Sequence, residues 1–152
     1  MKDSFSTPGR IALLSAAIIF SGILLCSCTL DSRERAQRTK LRQYYIKGEE
    51  LYKMHCQNCH QADGSGLGGV YPPLRDSDYM VNHRDDVICL IRFGKEGEII
   101  VNGKMYNMQM PPQPSLSDLE VAEIATYIYN SWGNEGGIFD VKDVSPVLDS
   151  CQ

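Results

Sequence analysis

The sequence predicts an all-α domain of short helices packed around loops, with one small β-hairpin. Three observations carry that expectation: helical spacing of apolar residues in three separate windows, a long glycine- and proline-rich loop between the first two, and strand signals confined to about nine residues. Residues 42–56 place Tyr45, Ile46, Tyr52 and Met54 at helical positions, with Leu51 beside them. Residues 61–75 contain Gly64, Gly66, Gly68, Gly69, Pro72 and Pro73 and read as loop. Residues 84–93 gather Val87, Ile88, Leu90 and Ile91 on one side, with Gly94 as the stop. Glu98-Ile99-Ile100-Val101, Asn102-Gly103 and Lys104-Met105-Tyr106 form strand, tight turn and strand. Ser117-Asp118-Leu119-Glu120 is a capping box, flanked by Leu116 and Val121 as a hydrophobic staple. The helix it starts is expected to run through Ile124, Ala125, Tyr127 and Ile128 to about Trp132, where Gly133 closes it. Residues 135–152 lack a clear period and read as a C-terminal tail.

The chain has 152 residues, one domain's worth, and a net charge of −4. That balance argues against a nucleic-acid binder, which needs a broadly basic face. Strand content is too small for a parallel nucleotide-binding sheet. The charge is nevertheless uneven: residues 33–53 hold seven basic and three acidic side chains, residues 54–152 six basic and fourteen acidic. The basic stretch suits anionic headgroups or a solvated linker equally, and the acidic remainder suits a partner with a basic docking patch.

The first residues read as an export signal. Lys2 and Arg10 precede an apolar run over residues 11–25, which ends in Cys26-Ser27-Cys28. Leu25-Cys26-Ser27-Cys28 resembles a bacterial lipobox, which implies that residues 1–27 are removed and that Cys28 becomes the lipidated first residue. An uncleaved anchor is the alternative, since residues 11–30 are just long enough to span a bilayer. In either case the expected location is the cell envelope, periplasm-facing and membrane-tethered. Residues 28–41 are polar and read as a linker, residues 42–134 as the folded domain.

Cys56-Gln57-Asn58-Cys59-His60 carries the chemistry. Thiols spaced by two residues sit one helical turn apart, which suits the two vinyl groups of haem, and the adjacent imidazole then lies under the iron as proximal ligand. The string is an attachment signal for c-type haem. A structural zinc site would want four N/S ligands, but there is no second Cys-x-x-Cys pair, and His55 and His83 lack ligand spacing. A thioredoxin-like dithiol would sit in a βαβ context that is absent from this sequence.

With this motif the chain resembles class I c-type cytochromes over residues 43–133. The resemblance implies the cytochrome c fold, short helices around one covalently bound haem c. It also implies that Gly48 and Tyr52 pack across the last helix at Ile124 and Tyr127. In Tyr71-Pro72-Pro73-Leu74, the Pro72 carbonyl would accept the second N–H of His60, and Leu74 would pack on the haem. In Met110-Pro111-Pro112, Met110 would be the distal iron ligand, with Met108 as the rival two residues away. Met54, Met80 and Met105 read as packing residues, and His83 as a surface histidine rather than a second imidazole ligand. Tyr106 and Asn107 either hydrogen-bond near the haem or shape the turn, and Trp132 reads as packing. Cys89 and Cys151 either pair in an oxidising compartment or remain free, because sequence does not fix connectivity.

With both axial positions filled, the implied function is electron transfer rather than catalysis. The partners would be redox proteins: a membrane complex, a periplasmic dehydrogenase, an oxidase or another cytochrome. A haem subunit of a larger dehydrogenase or oxidase complex is the alternative within that class. A haem enzyme or gas sensor with an open sixth position is the alternative outside it.

Overall fold

The computed structural model describes residues 9–151, with side chains from Ser32 onward. The expected signal peptide (1–27) and the expected lipid-bearing Cys28 lie outside the residues whose side chains are described. Helix α1 (Gly9–His55) is followed by α2 (Gln57–His60), α3 (Asp78–Asn82), α4 (Arg84–Phe93), β1 (Ile99–Val101), β2 (Lys104–Tyr106), α5 (Asp118–Ile128) and α6 (Val141–Ser150). The chain divides into two compact units, residues 1–39 and 40–152. In the first, the side chains of residues 32–39 are exposed, and Arg38 pairs with Glu34 at 2.8 Å one helical turn away. Residues 28–41, read from their polarity as a linker, are helical.

The second unit contains the core. Residues 40–55 of α1 bury Tyr44, Leu51 and Tyr52 in the core to which α5 also contributes. The crossing depends on Gly48: a Cβ there would stand 2.0 Å from the Glu123 carbonyl oxygen and 2.8 Å from Tyr127 Cβ. Only a residue without a side chain lets the two backbones approach this closely. Tyr52 and Tyr127 meet across the same contact with ring centroids 5.2 Å apart. Met54, expected in the core, is 61% exposed, because its position on α1 points away from α5.

Helix α4 spans its expected residues and stops at Gly94, whose φ of 73° suits glycine. The hairpin pairs Ile99 with Tyr106, Ile100 with Met105 and Val101 with Lys104. Asn102 and Gly103, at φ 52° and 73°, make its two-residue turn. Ile100 and Met105 form an exposed cross-strand pair, so Met105 is not the packing residue that its sequence suggests.

The box at α5 closes as expected: Ser117 Oγ accepts from Glu120 N, and Glu120 Oε2 accepts from Ser117 N at 2.8 Å. Leu116 and Val121 are both buried. The helix ends at Ile128, short of Trp132, because side chains take over its last carbonyls. Asn130 Nδ2 donates to Thr126 O, Ser131 Oγ to Tyr127 O, and Asn134 Nδ2 to Ile128 O. Trp132 then turns the chain at φ 56°.

The segment read as a tail contains α6, which packs on α4 and α5 and buries Val144 and Leu148. Asp140 caps its first turn and forms a 2.6 Å ion pair with Lys40. The Cys89–Cys151 disulfide joins its C-terminal end to α4.

Candidate functional site

One apolar cleft of about 930 Å³, counting the open space at its mouth, runs between α1, α3, α4, the hairpin and α5. Cys56, Cys59, His60, Pro72, Leu74, Met108 and Met110 all line it. Aliphatic and aromatic side chains supply most of the remaining wall, among them Val87, Leu90, Ile91, Val101, Tyr106 and Ile124. The apolar lining with a few convergent polar groups suits a cofactor site.

The two thiols and the imidazole occupy one short turn. Cys59 N and His60 N both donate to the Cys56 carbonyl, at 3.2 and 3.0 Å. Cys56 and Cys59 are free and partly buried, and they bond neither to each other nor to the other described cysteines. Burial, and then the neighbouring Cys59, push the Cys56 thiol up to about 12. Burial also holds the His60 imidazole below its ordinary pKa, which the Pro72 contact partly offsets, so the ring is a neutral donor. His60 Nδ1 lies 3.0 Å from the Pro72 carbonyl oxygen, which makes that nitrogen the N–H donor and leaves Nε2 to a metal.

The loop carrying Pro72 is fixed from behind. Gly64 O accepts the N–H groups of Leu74 and Arg75, and Tyr52 Oη donates to Gln61 O at 2.7 Å. Trp132 Nε1 donates to Ala62 O at 3.0 Å, and a Cβ on Gly64 would stand 2.5 Å from the indole.

The two candidate methionines differ in how they are seated. Met110 is partly buried, and its backbone pairs both ways with Lys95, each bond 2.9 Å. Its carbonyl approaches Gly94 so closely that a Cβ there would stand 2.3 Å away. Met108 is 50% exposed and has no such backbone anchor among the described residues. Met80 is buried and lines the cleft as well, while its carbonyl accepts from Tyr129 Oη at 2.6 Å. His83 is exposed, stacks on Tyr79 and stays out of the cleft lining. Tyr106 is a buried wall residue, whereas Asn107 is exposed. The sequence marks Gly94 as a helix stop and does not single out Lys95; the Met-Pro-Pro stretch that must pack somewhere is the one signal of that contact.

The cytochrome c family model matches residues 45–132, which include the thiol turn and both methionines. The chain belongs to the cytochrome c family. Its relatives include cytochrome c-552 of Thermus thermophilus, 32% identical over 91 residues, which are 57% of this chain and 69% of the relative. Against a second Thermus thermophilus protein of the same name the identity is again 32%, and the chain spans 61% of its length. The cytochrome c subunit of the quinone alcohol dehydrogenase from Gluconacetobacter polyoxogenes is 28% identical over 109 residues, 69% of this chain. This chain spans only 23% of that subunit's length.

The cytochrome is an electron carrier with one covalently bound haem c. Its cleft fits that group by the chemistry of the donors: two free thiols, a neutral imidazole with one nitrogen left over, thioether sulfurs, and apolar walls to cover a porphyrin.

Proposed function

We propose that the cytochrome is an exported, membrane-tethered carrier whose haem is joined to Cys56 and Cys59, with His60 and Met110 as axial ligands. The observation that carries this reading is the His60–Pro72 hydrogen bond, which aims the remaining imidazole nitrogen into a cleft that Met110 also lines. When bound, haem supplies a one-electron iron couple. The protein's part is positional. Pro72 fixes the ring plane and raises the ligand's basicity. Lys95 and Gly94 seat the Met110 backbone, and a soft, neutral sulfur favours the reduced metal and so a higher potential. The aliphatic walls, with Leu74 among them, exclude water.

The tether is the Cys28 lipid expected from the lipobox, and the compartment is the periplasm-facing cell envelope. The partners are redox proteins: a membrane complex, a periplasmic dehydrogenase, an oxidase or another cytochrome. Service as the cytochrome subunit of a dehydrogenase is the second reading, favoured by the likeness to quinone alcohol dehydrogenase subunits.

Met110→Ala is expected to lower the reduction potential and to open the purified haem protein to carbon monoxide and cyanide, while Met108→Ala leaves both near wild type. If Met108→Ala produces these changes instead, the ligand is misassigned. If the unaltered protein already binds carbon monoxide rapidly at neutral pH, the sixth position is open and the carrier mechanism with two protein ligands fails. Mass analysis of the natively matured N-terminus tests the tether, which requires a diacylglyceryl group on residue 28.

A further inference from the structure

Helix α6 lies beyond residues 45–132, so nothing in the family match accounts for it. It is built into the molecule on the far side of α4 from the cleft. Val87, Leu90 and Ile91 of α4 line the cleft, whereas Ile88 shares a second recess with Val144 and Val147 of α6. Cys89, on α4, is bonded to Cys151 with their Cα atoms 5.7 Å apart.

The end of α4 is where Met110 is seated. Four consecutive residues do this or support it. Arg92 O accepts from Gln113 N at 2.9 Å, on the far side of the ligand loop. Phe93 closes the helix, Gly94 lets the Met110 carbonyl approach, and Lys95 makes the two-way backbone pair with Met110. The Arg92 side chain points the other way. It is only 17% exposed and donates to Asp118 at 2.7 Å, and its Nε is enclosed without a partner among the described residues. Asp118 is therefore what neutralises this guanidinium. The two helices α6 and α4 are packed on each other, with Val144 and Leu148 of α6 buried.

We propose that α6 is a buttress for the sixth-ligand loop: the Cys89–Cys151 bond and the packing of α6 on α4 fix the strip Arg92–Lys95 on which Met110 rests. This inference rests on the reading of Met110 as the distal ligand. Loops that carry ligands belong to the least stable parts of a fold, so their opening rate depends on what braces them. Here the brace is a helix that never touches the cleft. The two cysteines are positioning residues.

The test uses the complete haem protein and reads ligand exchange at the iron, not only stability. C89S/C151S should bind cyanide in the ferric state roughly tenfold faster than wild type, with a weakened methionine-to-iron absorption band. V144A, which keeps the disulfide and trims a buried contact of α6 beside Ile88 of α4, should show a smaller rate increase of roughly threefold. If the variants melt earlier but bind cyanide at the wild-type rate with an unchanged spectrum, α6 is a stabilising appendage and the proposal is overturned. M110A is measured beside them. If M110A leaves cyanide binding unchanged, the ligand reading and this inference fall together. If M110A accelerates it and the α6 variants do not, only the inference falls.

Discussion

The turn bearing His60 keeps its place through backbone carbonyls, whereas α6 keeps its place through a covalent bond and an ion pair. Around His60, the acceptors at Pro72, Gly64, Gln61 and Ala62 fix the loop atom by atom and lie within a short span of sequence, with the Trp132 donor reaching in from 70 residues away. Around α6, the partners Cys89 and Lys40 come from 62 and 100 residues away. The first arrangement aims a donor, and small displacements there alter chemistry. The second closes a long loop, and its loss alters stability and whatever rests on it.

The largest expected effect breaks the first region. Cys56→Ala or Cys59→Ala should abolish stable two-point haem attachment, and the apoprotein should lose its cooperative unfolding transition, since haem would fill much of so small a core. The measurements are a pyridine haemochrome spectrum and a denaturant titration; an apo form that unfolds cooperatively at wild-type midpoint would contradict this. Removing the disulfide breaks the second region less completely. For a separation of 62 residues, the loop-closure model gives a loss of about 4 kcal/mol. Equilibrium denaturation should show this loss with haem still covalently bound.

The smallest effect sharpens the contrast through pH. Lys40 is the first cause of the lowered pKa of Asp140. A carboxylate with a depressed folded-state pKa contributes stability above its unfolded value, 3.8 here, and loses it as pH falls through the folded value. Asp140→Asn keeps an N-cap on α6 and removes only the charge. It should flatten the acid limb of the stability profile by a small amount and leave the visible spectrum of the haem alone. A displaced spectrum would mean that the two regions are less separable than their contacts imply.

The same division decides what could be read without coordinates. The thiol turn, the Pro72 acceptor, the Gly48 crossing, α4 up to Gly94, the Asn102-Gly103 hairpin and the Ser117–Glu120 box all depend on residues close in sequence or on a motif whose chemistry dictates a shape. The end of α5 was illegible because Asn130, Ser131 and Asn134 compete for carbonyls that a longer helix would have used. Helix α6 was hidden by Pro146 within it and by polar residues on its outer face. Its partners are settled only by the tertiary fold, as is the Cys89–Cys151 pairing. Met54 and Met105 were misread for a related reason: an apolar side chain at a helical or strand position does not reveal which face is covered.

The indole at residue 132 has a use that its packing role conceals. It is the only tryptophan in the chain. It fills the space beside Gly64 and bonds Ala62, between the thiol turn and the carbonyl that orients His60. Its emission therefore reports, without any added label, whether the polypeptide has closed around that segment during maturation or has come apart on heating.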